Sequence, residues 1–142
     1  MFSKERVKFN LGANTKEEVI SELIDILIAD GKITDKDKFK AAVFKREEEF
    51  STGIGMGIAI PHGKSSAVKE ASIAFGRSDK GIDYESMDGD PAHLFFLIAV
   101  PEESNDIHLR ALSEISRKLM HENIRKQLFS INSFEDFIKV FE

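Results

Sequence analysis

Apolar and polar positions change their period several times along this chain, and each change marks an element. Val7-Lys8-Phe9-Asn10-Leu11 alternates at period two and predicts a short leading strand, ended by Gly12 and Asn14. Thr15 followed by Glu18 is a capping box. Val19, Ile20, Leu23, Ile24, Leu27 and Ile28 then recur at helical spacing, so a helix is expected up to Asp30, stopped by Gly31. Thr34 with Asp37 predicts a second helix by the same capping logic, with Phe39, Ala42, Val43 and Phe50 on one stripe and Arg46 near its C-terminal end. Ile58-Ala59-Ile60 reads as a short buried strand, and Ser72 to Gly76 as another. Leu94 to Val100 is too uniformly apolar to have a solvated face and is expected at the centre of a sheet. Between them, Arg77 to Pro91 holds turn-forming residues and is expected to be mostly loop, with at most an edge strand around Ile82-Asp83-Tyr84.

The last third of the pattern is helical. Ser104-Asn105-Asp106 offers an N-cap, and Leu109, Leu112, Ile115 and Leu119 form the expected core stripe of a third helix. A short helix follows through Ile124 and Leu128. Ser133 with Asp136 opens a final one, with Phe134, Phe137, Ile138 and Phe141 on one face. Strands alternating with helices imply an α/β sandwich, and no repeat, low-complexity tract or linker divides residues 1–142.

Composition narrows the function classes. The chain has 142 residues and no cysteine, which excludes disulfides, thiol catalysis and cysteine-based zinc sites. No apolar run approaches the ~20 residues that span a bilayer, and Met1 to Arg6 opens no signal peptide, so a soluble, cytoplasmic protein is expected. A formal net charge of −5 with dispersed Lys and Arg argues against a nucleic-acid partner.

The stretch from Arg46 to Lys64 delivers one histidine out of a glycine-spaced apolar segment. Gly53, Gly55 and Gly57 give the backbone access to positive φ. Pro61 ends the short strand, and His62 is expected in a rigid turn completed by Gly63. A preorganised imidazole at a strand end suits a nucleophile. Gly57 to Ser65 superficially resembles a nucleotide-binding P-loop, but it has one intervening residue too many and an apolar interior with a proline. A metal site from His62, His108 and Asp106 lacks the His-x-x-x-His spacing, and no metal or cofactor is expected.

The segment Arg46-Glu47 to Ser51-Thr52-Gly53-Ile54-Gly55, Ile58-Ala59-Ile60-Pro61-His62-Gly63, Gly81-Ile82-Asp83-Tyr84, Asp88 to Leu94, Ala99-Val100-Pro101 and Ile107 to Leu112 together resemble the enzyme IIA domains of the bacterial phosphoenolpyruvate:sugar phosphotransferase system, of the fructose/mannitol type, and most of all the fructose-specific ones. The resemblance covers nearly the whole chain. It implies one α/β domain with a mixed β-sheet of about five strands flanked by helices. It also implies a phosphotransferase in which His62 accepts a phosphoryl group from the phosphocarrier HPr, on Nε2, and gives it to a cysteine of an enzyme IIB domain, with the membrane reached only through enzyme IIC. A neutral imidazole nitrogen is competent for this step, and a hydrogen bond from the other ring nitrogen to a backbone carbonyl would fix the tautomer.

His108 is implied to lie against His62 and to donate a hydrogen bond to the phosphoryl group; taken alone it reads as a core histidine in the first turn of a helix. Arg46, which alone reads as a helix charge beside Glu49, is implied to be the guanidinium partner of the phosphoryl charge. Thr52 either adds a hydroxyl contact to the phosphate or terminates its helix, and Gly63 is a further phosphate-binding candidate. His93 is expected to orient the start of the central strand and His121 to be a charge partner at a helix C-terminus. An alternative purpose keeps the fold and the phosphorylation: a regulatory, nitrogen-related enzyme IIA whose phosphorylation state controls a bound protein.

Overall fold

Leu94, Phe96, Ile98 and Val100 bury against one layer of helices, and Phe95, Leu97 and Ala99, the residues between them, bury against another. Both faces of this strand are therefore core, as its unbroken apolar run predicts. A computed structural model of the chain describes residues 2–104 and 107–141, with the backbone alone at 107 and 108. The elements are β1 (Val7–Lys8, after a 3-10 turn at Lys4–Arg6), α1 (Lys16–Ala29), α2 (Lys36–Glu49), β2 (Gly53–Gly55), β3 (Ile58–Ala59), β4 (His62–Ser65), β5 (Ser72–Ile82), β6 (Ala92–Pro101), α3 (Ile107–Leu119), α4 (Glu122–Ser130) and α5 (Phe134–Phe141).

Six strands form one mixed sheet in the order β1-β5-β6-β3-β2, with β4 also paired to β6. β5 runs antiparallel to β6, whereas β3 and β4 both run parallel to it. Helices α1 and α2 cover one face through Val19, Ile20, Leu23, Ile24, Leu27, Phe39 and Val43. Helices α3, α4 and α5 cover the other through Ala111, Ile115, Leu119, Leu128, Phe137 and Val140. On that side the Phe75 ring lies 4.7 Å from Phe137 and 5.0 Å from Phe96, within the range where tilted aromatic pairs attract.

The expected starts of α1, α2 and α5 hold with one shift, and the Ser104-Asn105-Asp106 cap expected for α3 falls partly outside the described residues. Thr15 caps α1 by accepting from the Glu18 amide at 3.1 Å, and the Glu18 carboxylate reaches back to the Asn14 amide at 2.8 Å. For α2 the cap is Asp35, not Thr34: the Asp35 carboxylate accepts from the Lys38 amide, while the Thr34 hydroxyl donates to the Ala67 carbonyl beside the Ile33–Val68 bridge. Tertiary pairing has claimed the first candidate, and the next residue of capping type takes over.

Four stretches differ from expectation. Phe50 is 75% exposed as the C-cap of α2, and Glu47 takes the buried position one turn beyond Val43. Leu109 is 56% exposed, since α3 packs through Ala111 and its i+4 partners. The region expected as loop is strand up to Ile82, because Arg77 can be buried there: its guanidinium donates to the carbonyls of Leu128 and Ile131 and to Asn132 Oδ1, so the charge stays satisfied while β5 continues along β6. The leading strand, in turn, pairs only over Val7–Lys8.

Helix α2 approaches β4 most closely at Gly63. A Cβ there would sit 3.0 Å from Val43 Cγ2 and 3.2 Å from Phe39 Cε1, both in the packed layer. Gly63→Ala is therefore expected to destabilise the protein by about 1–3 kcal/mol, the usual cost of overpacking, read as a lower urea midpoint. An unchanged midpoint would show that α2 is not held against β4 as described.

Candidate functional site

His62 is not in a turn; it is the first residue of β4. Pro61, which has no N–H to give a ladder, interrupts what would otherwise be one strand from Ile58 to Ser65 along β6. The Ile98 amide still donates to the Pro61 carbonyl at 3.0 Å, so the break leaves the chain on the sheet. It also turns the Ile60 carbonyl toward the imidazole. His62 Nδ1 lies 3.0 Å from that oxygen. A carbonyl can only accept, so Nδ1 carries the proton and, in the neutral ring, Nε2 carries the lone pair. The residue is half-buried at the start of β4, beside the central strand β6.

Upstream, the end of α2 grips the chain leading to this site with two adjacent residues. Arg46 Nη1 donates to the Phe50 carbonyl at 2.7 Å. Among the described residues no carboxylate pairs with Arg46, so the helix-charge pairing with Glu49 does not form. Glu47, its neighbour, has a side chain only 3% exposed. One oxygen accepts from the Thr52 amide at 3.0 Å and meets Lys16 Nζ at 3.0 Å; the other accepts from the Thr52 hydroxyl and from the Tyr84 hydroxyl at 3.1 Å. Every group facing Glu47 is a donor, which suits an ionised carboxylate. Burial, and then the Glu47 charge beside it, hold the Tyr84 phenol well above the ordinary tyrosine range, so its proton stays in this network.

Thr52 is thus a buried part of the scaffold, its hydroxyl proton directed at Glu47. Gly63 is buried under α2. His108 stands in the first turn of α3 by its backbone; its side chain, and Asn105 and Asp106, lie outside the described residues. His93 opens β6, with Nδ1 2.8 Å from the Ser78 carbonyl of β5, which fits its expected place at the start of the central strand. His121 sits between the end of α3 and the start of α4. Among the described residues no three His, Asp or Glu side chains converge as metal ligands, and no helix is long and apolar enough to cross a membrane. Sequence reasoning missed Glu47, Lys16 and Tyr84. The available signal was a carboxylate at i+4 from Val43 and i+8 from Phe39, on the apolar stripe of its helix.

A family model described as the phosphoenolpyruvate-dependent sugar phosphotransferase system, EIIA 2, matches residues 1–142. The chain belongs to this family. It is accordingly an EIIA-type phosphotransferase component. The chain is 48% identical over 140 residues to the fructose-specific EIIABC component of Bacillus subtilis (strain 168), covering 99% of this chain and 22% of that protein, so it spans about a fifth of that relative. To the fructose-specific EIIA component of Haloferax volcanii it is 44% identical over 119 residues, covering 84% of this chain and 77% of the relative. The crystal structure of the nitrogen regulatory protein IIA-Ntr from Neisseria meningitidis superposes with a TM-score of 0.89 at 29% identity, over 97% of this chain and 94% of that one. The fold is that of the EIIA structures, with the sheet and five helices described above.

Lys16 is the cation that compensates the buried Glu47. Lys16→Met should cost about 3 kcal/mol by leaving that carboxylate without its charge partner. Lys126→Ala, which breaks the exposed pair with Glu122, should cost under about 0.5 kcal/mol. Urea denaturation of the two variants side by side checks this, and equal midpoints would contradict it.

Proposed function

We propose that this EIIA domain carries a phosphoryl group on His62 Nε2, taking it from phosphorylated HPr and passing it to a cysteine of an enzyme IIB domain for coupled uptake and phosphorylation of a sugar. The observation that supports this most directly is the 3.0 Å bond from His62 Nδ1 to the Ile60 carbonyl, which reserves the Nε2 lone pair for attack. In the first step that lone pair attacks phosphorus, an N–P bond forms on His62, and the N–P bond of the donor phosphohistidine breaks. In the second, a cysteine thiolate of the acceptor attacks the same phosphorus and the His62 N–P bond breaks. The leaving group is the donor's imidazole in the first step and the His62 imidazole in the second, and neither a metal nor a cofactor is invoked. Both steps take place in the cytoplasm, and the membrane is reached through enzyme IIC.

Arg46 and His108 stabilise the transferring group. Arg46 uses one guanidinium nitrogen on Phe50, and the rest of its fork is suited to phosphoryl oxygens. His108, in the first turn of α3, adds a hydrogen bond where a helix N-terminus already favours an anion. Thr52 and Gly63 serve the phosphate indirectly, Thr52 by tying the strand to Glu47 and Gly63 by letting α2 close on β4. Fructose is the sugar we assign, on the names of the Bacillus and Haloferax relatives. A regulatory reading, in which the phosphorylation state governs a bound protein, draws support from the likeness to the Neisseria IIA-Ntr structure. The acceptor separates the two: transfer from His62 to an enzyme IIB cysteine supports transport, and none supports regulation.

Incubation with phosphoenolpyruvate, enzyme I and HPr should give one acid-labile phosphoryl adduct by intact-mass spectrometry, absent in His62→Ala. Arg46→Ala and His108→Ala should accept the group about 10²–10³ times more slowly. An adduct retained in His62→Ala, or wild-type rates in the other two, would overturn these assignments.

A further inference from the structure

We infer that Glu47 is a positioning residue for His62, acting through a relay of hydrogen bonds that ends on the imidazole; the inference rests on the reading of His62 as the phosphoryl acceptor. The Glu47 carboxylate holds both the amide and the hydroxyl of Thr52. The Thr52 carbonyl accepts from the Ile60 amide at 3.0 Å. The Ile60 carbonyl is the group that accepts from His62 Nδ1 at 3.0 Å. Glu47 fixes Thr52, Thr52 holds the Ile60 amide and the Ile60 oxygen holds the ring, so the carboxylate adds to the break at Pro61 a second constraint on where that oxygen points.

Between Thr52 and Ile60 the backbone makes a tight reversal with Gly55, Met56 and Gly57 all at positive φ, at 95°, 59° and 78°. Such a loop has little side-chain packing of its own: Met56 is 44% exposed and Ile54 37%. Its two ends are clamped at Thr52 and Ile60, and Glu47 is the anchor of that clamp. Glu47 is in turn immobilised by Lys16 from α1 and Tyr84 from the segment after β5. The adjacent Arg46 holds the Phe50 carbonyl, so the same turn of α2 sets both the imidazole and the guanidinium. A carboxylate is required because four donors converge on it. Glutamine offers one acceptor oxygen and must place its amide nitrogen against the Thr52 and Tyr84 hydroxyls, which have to rotate. Loss of the anchor leaves the Ile60 carbonyl less constrained and lets the neutral imidazole populate the tautomer with its proton on Nε2, which removes the lone pair from that nitrogen.

Glu47→Gln and Glu47→Ala in the whole chain test this with two readouts: the His62 ring nitrogens by long-range 1H–15N correlation, and the rate of phosphoryl acceptance from phosphorylated HPr, each under conditions where circular dichroism shows the native fold. The expected order is wild type, then Gln with roughly threefold slower acceptance, then Ala with roughly tenfold, the factors that weakening or losing one hydrogen bond converts to. The Nε2–H tautomer should grow in the same order, a change that loss of global stability alone would not cause. Wild-type tautomer and rate in folded Glu47→Ala would overturn the inference; where that variant does not fold, the same result in Glu47→Gln overturns it. If wild-type protein accepts no phosphoryl group, the reading of His62 as acceptor fails, while the tautomer shift still decides whether Glu47 positions the ring.

Discussion

From Leu94 to Val100, β6 has no polar face, and the rest of the architecture answers that constraint. A strand apolar on both sides must be covered twice, so the helices divide into α1 and α2 on one face and α3, α4 and α5 on the other. Its two edges must also be satisfied. β5 takes one edge over most of its length, and the pair β3 and β4 takes the other in two instalments separated by Pro61. The gap in that second partner is where His62 is presented. The candidate histidine is thus attached beside the doubly covered central strand, while the proline break frees the carbonyl that binds its Nδ1.

Around this frame, buried charge is spent where it links elements. Glu47 joins α2 to α1 through Lys16, to the segment after β5 through Tyr84, and to the start of β2 through Thr52. Arg77 does the same on the opposite face, joining β5 to the end of α4 through the Leu128 and Ile131 carbonyls. Each is costly to bury and harmless once its partners are in place, so each fixes one arrangement of the layers against the alternatives. Of these two, the Glu47 cluster is the one bonded to the Thr52–Ile60–His62 chain, so we assign it a part in positioning His62 and Arg77 a part in packing.

The sequence reveals these features unevenly, for physical reasons. Local chemistry was legible: the Thr15 cap with Glu18, the double-sided burial of β6, the Phe137 stripe of α5 and the break at Pro61 all depend on neighbours a few residues away. The family motif made His62, Arg46 and His108 stand out before any contact was known. What stayed hidden needed partners distant in sequence. Arg77 looked like a loop residue because the carbonyls that make its burial tolerable come from more than fifty residues later. Phe50 looked like core because its spacing continued the α2 stripe, but the helix ends there and Glu47 takes the inward position. Glu47 was not singled out, since nothing local reveals the four donors that meet it.

In the proposed reaction the Ile60 carbonyl reserves Nε2 of His62 for the phosphoryl group. The direct test is to phosphorylate 15N-histidine-labelled protein and find which ring nitrogen of His62 is bonded to phosphorus, from 31P–15N coupling. Phosphorus on Nε2, with Nδ1 still protonated as it is before transfer, is the predicted result. Phosphorus on Nδ1 would mean that the bond to Ile60 breaks for the reaction and does not direct it, and the account of the site would be wrong.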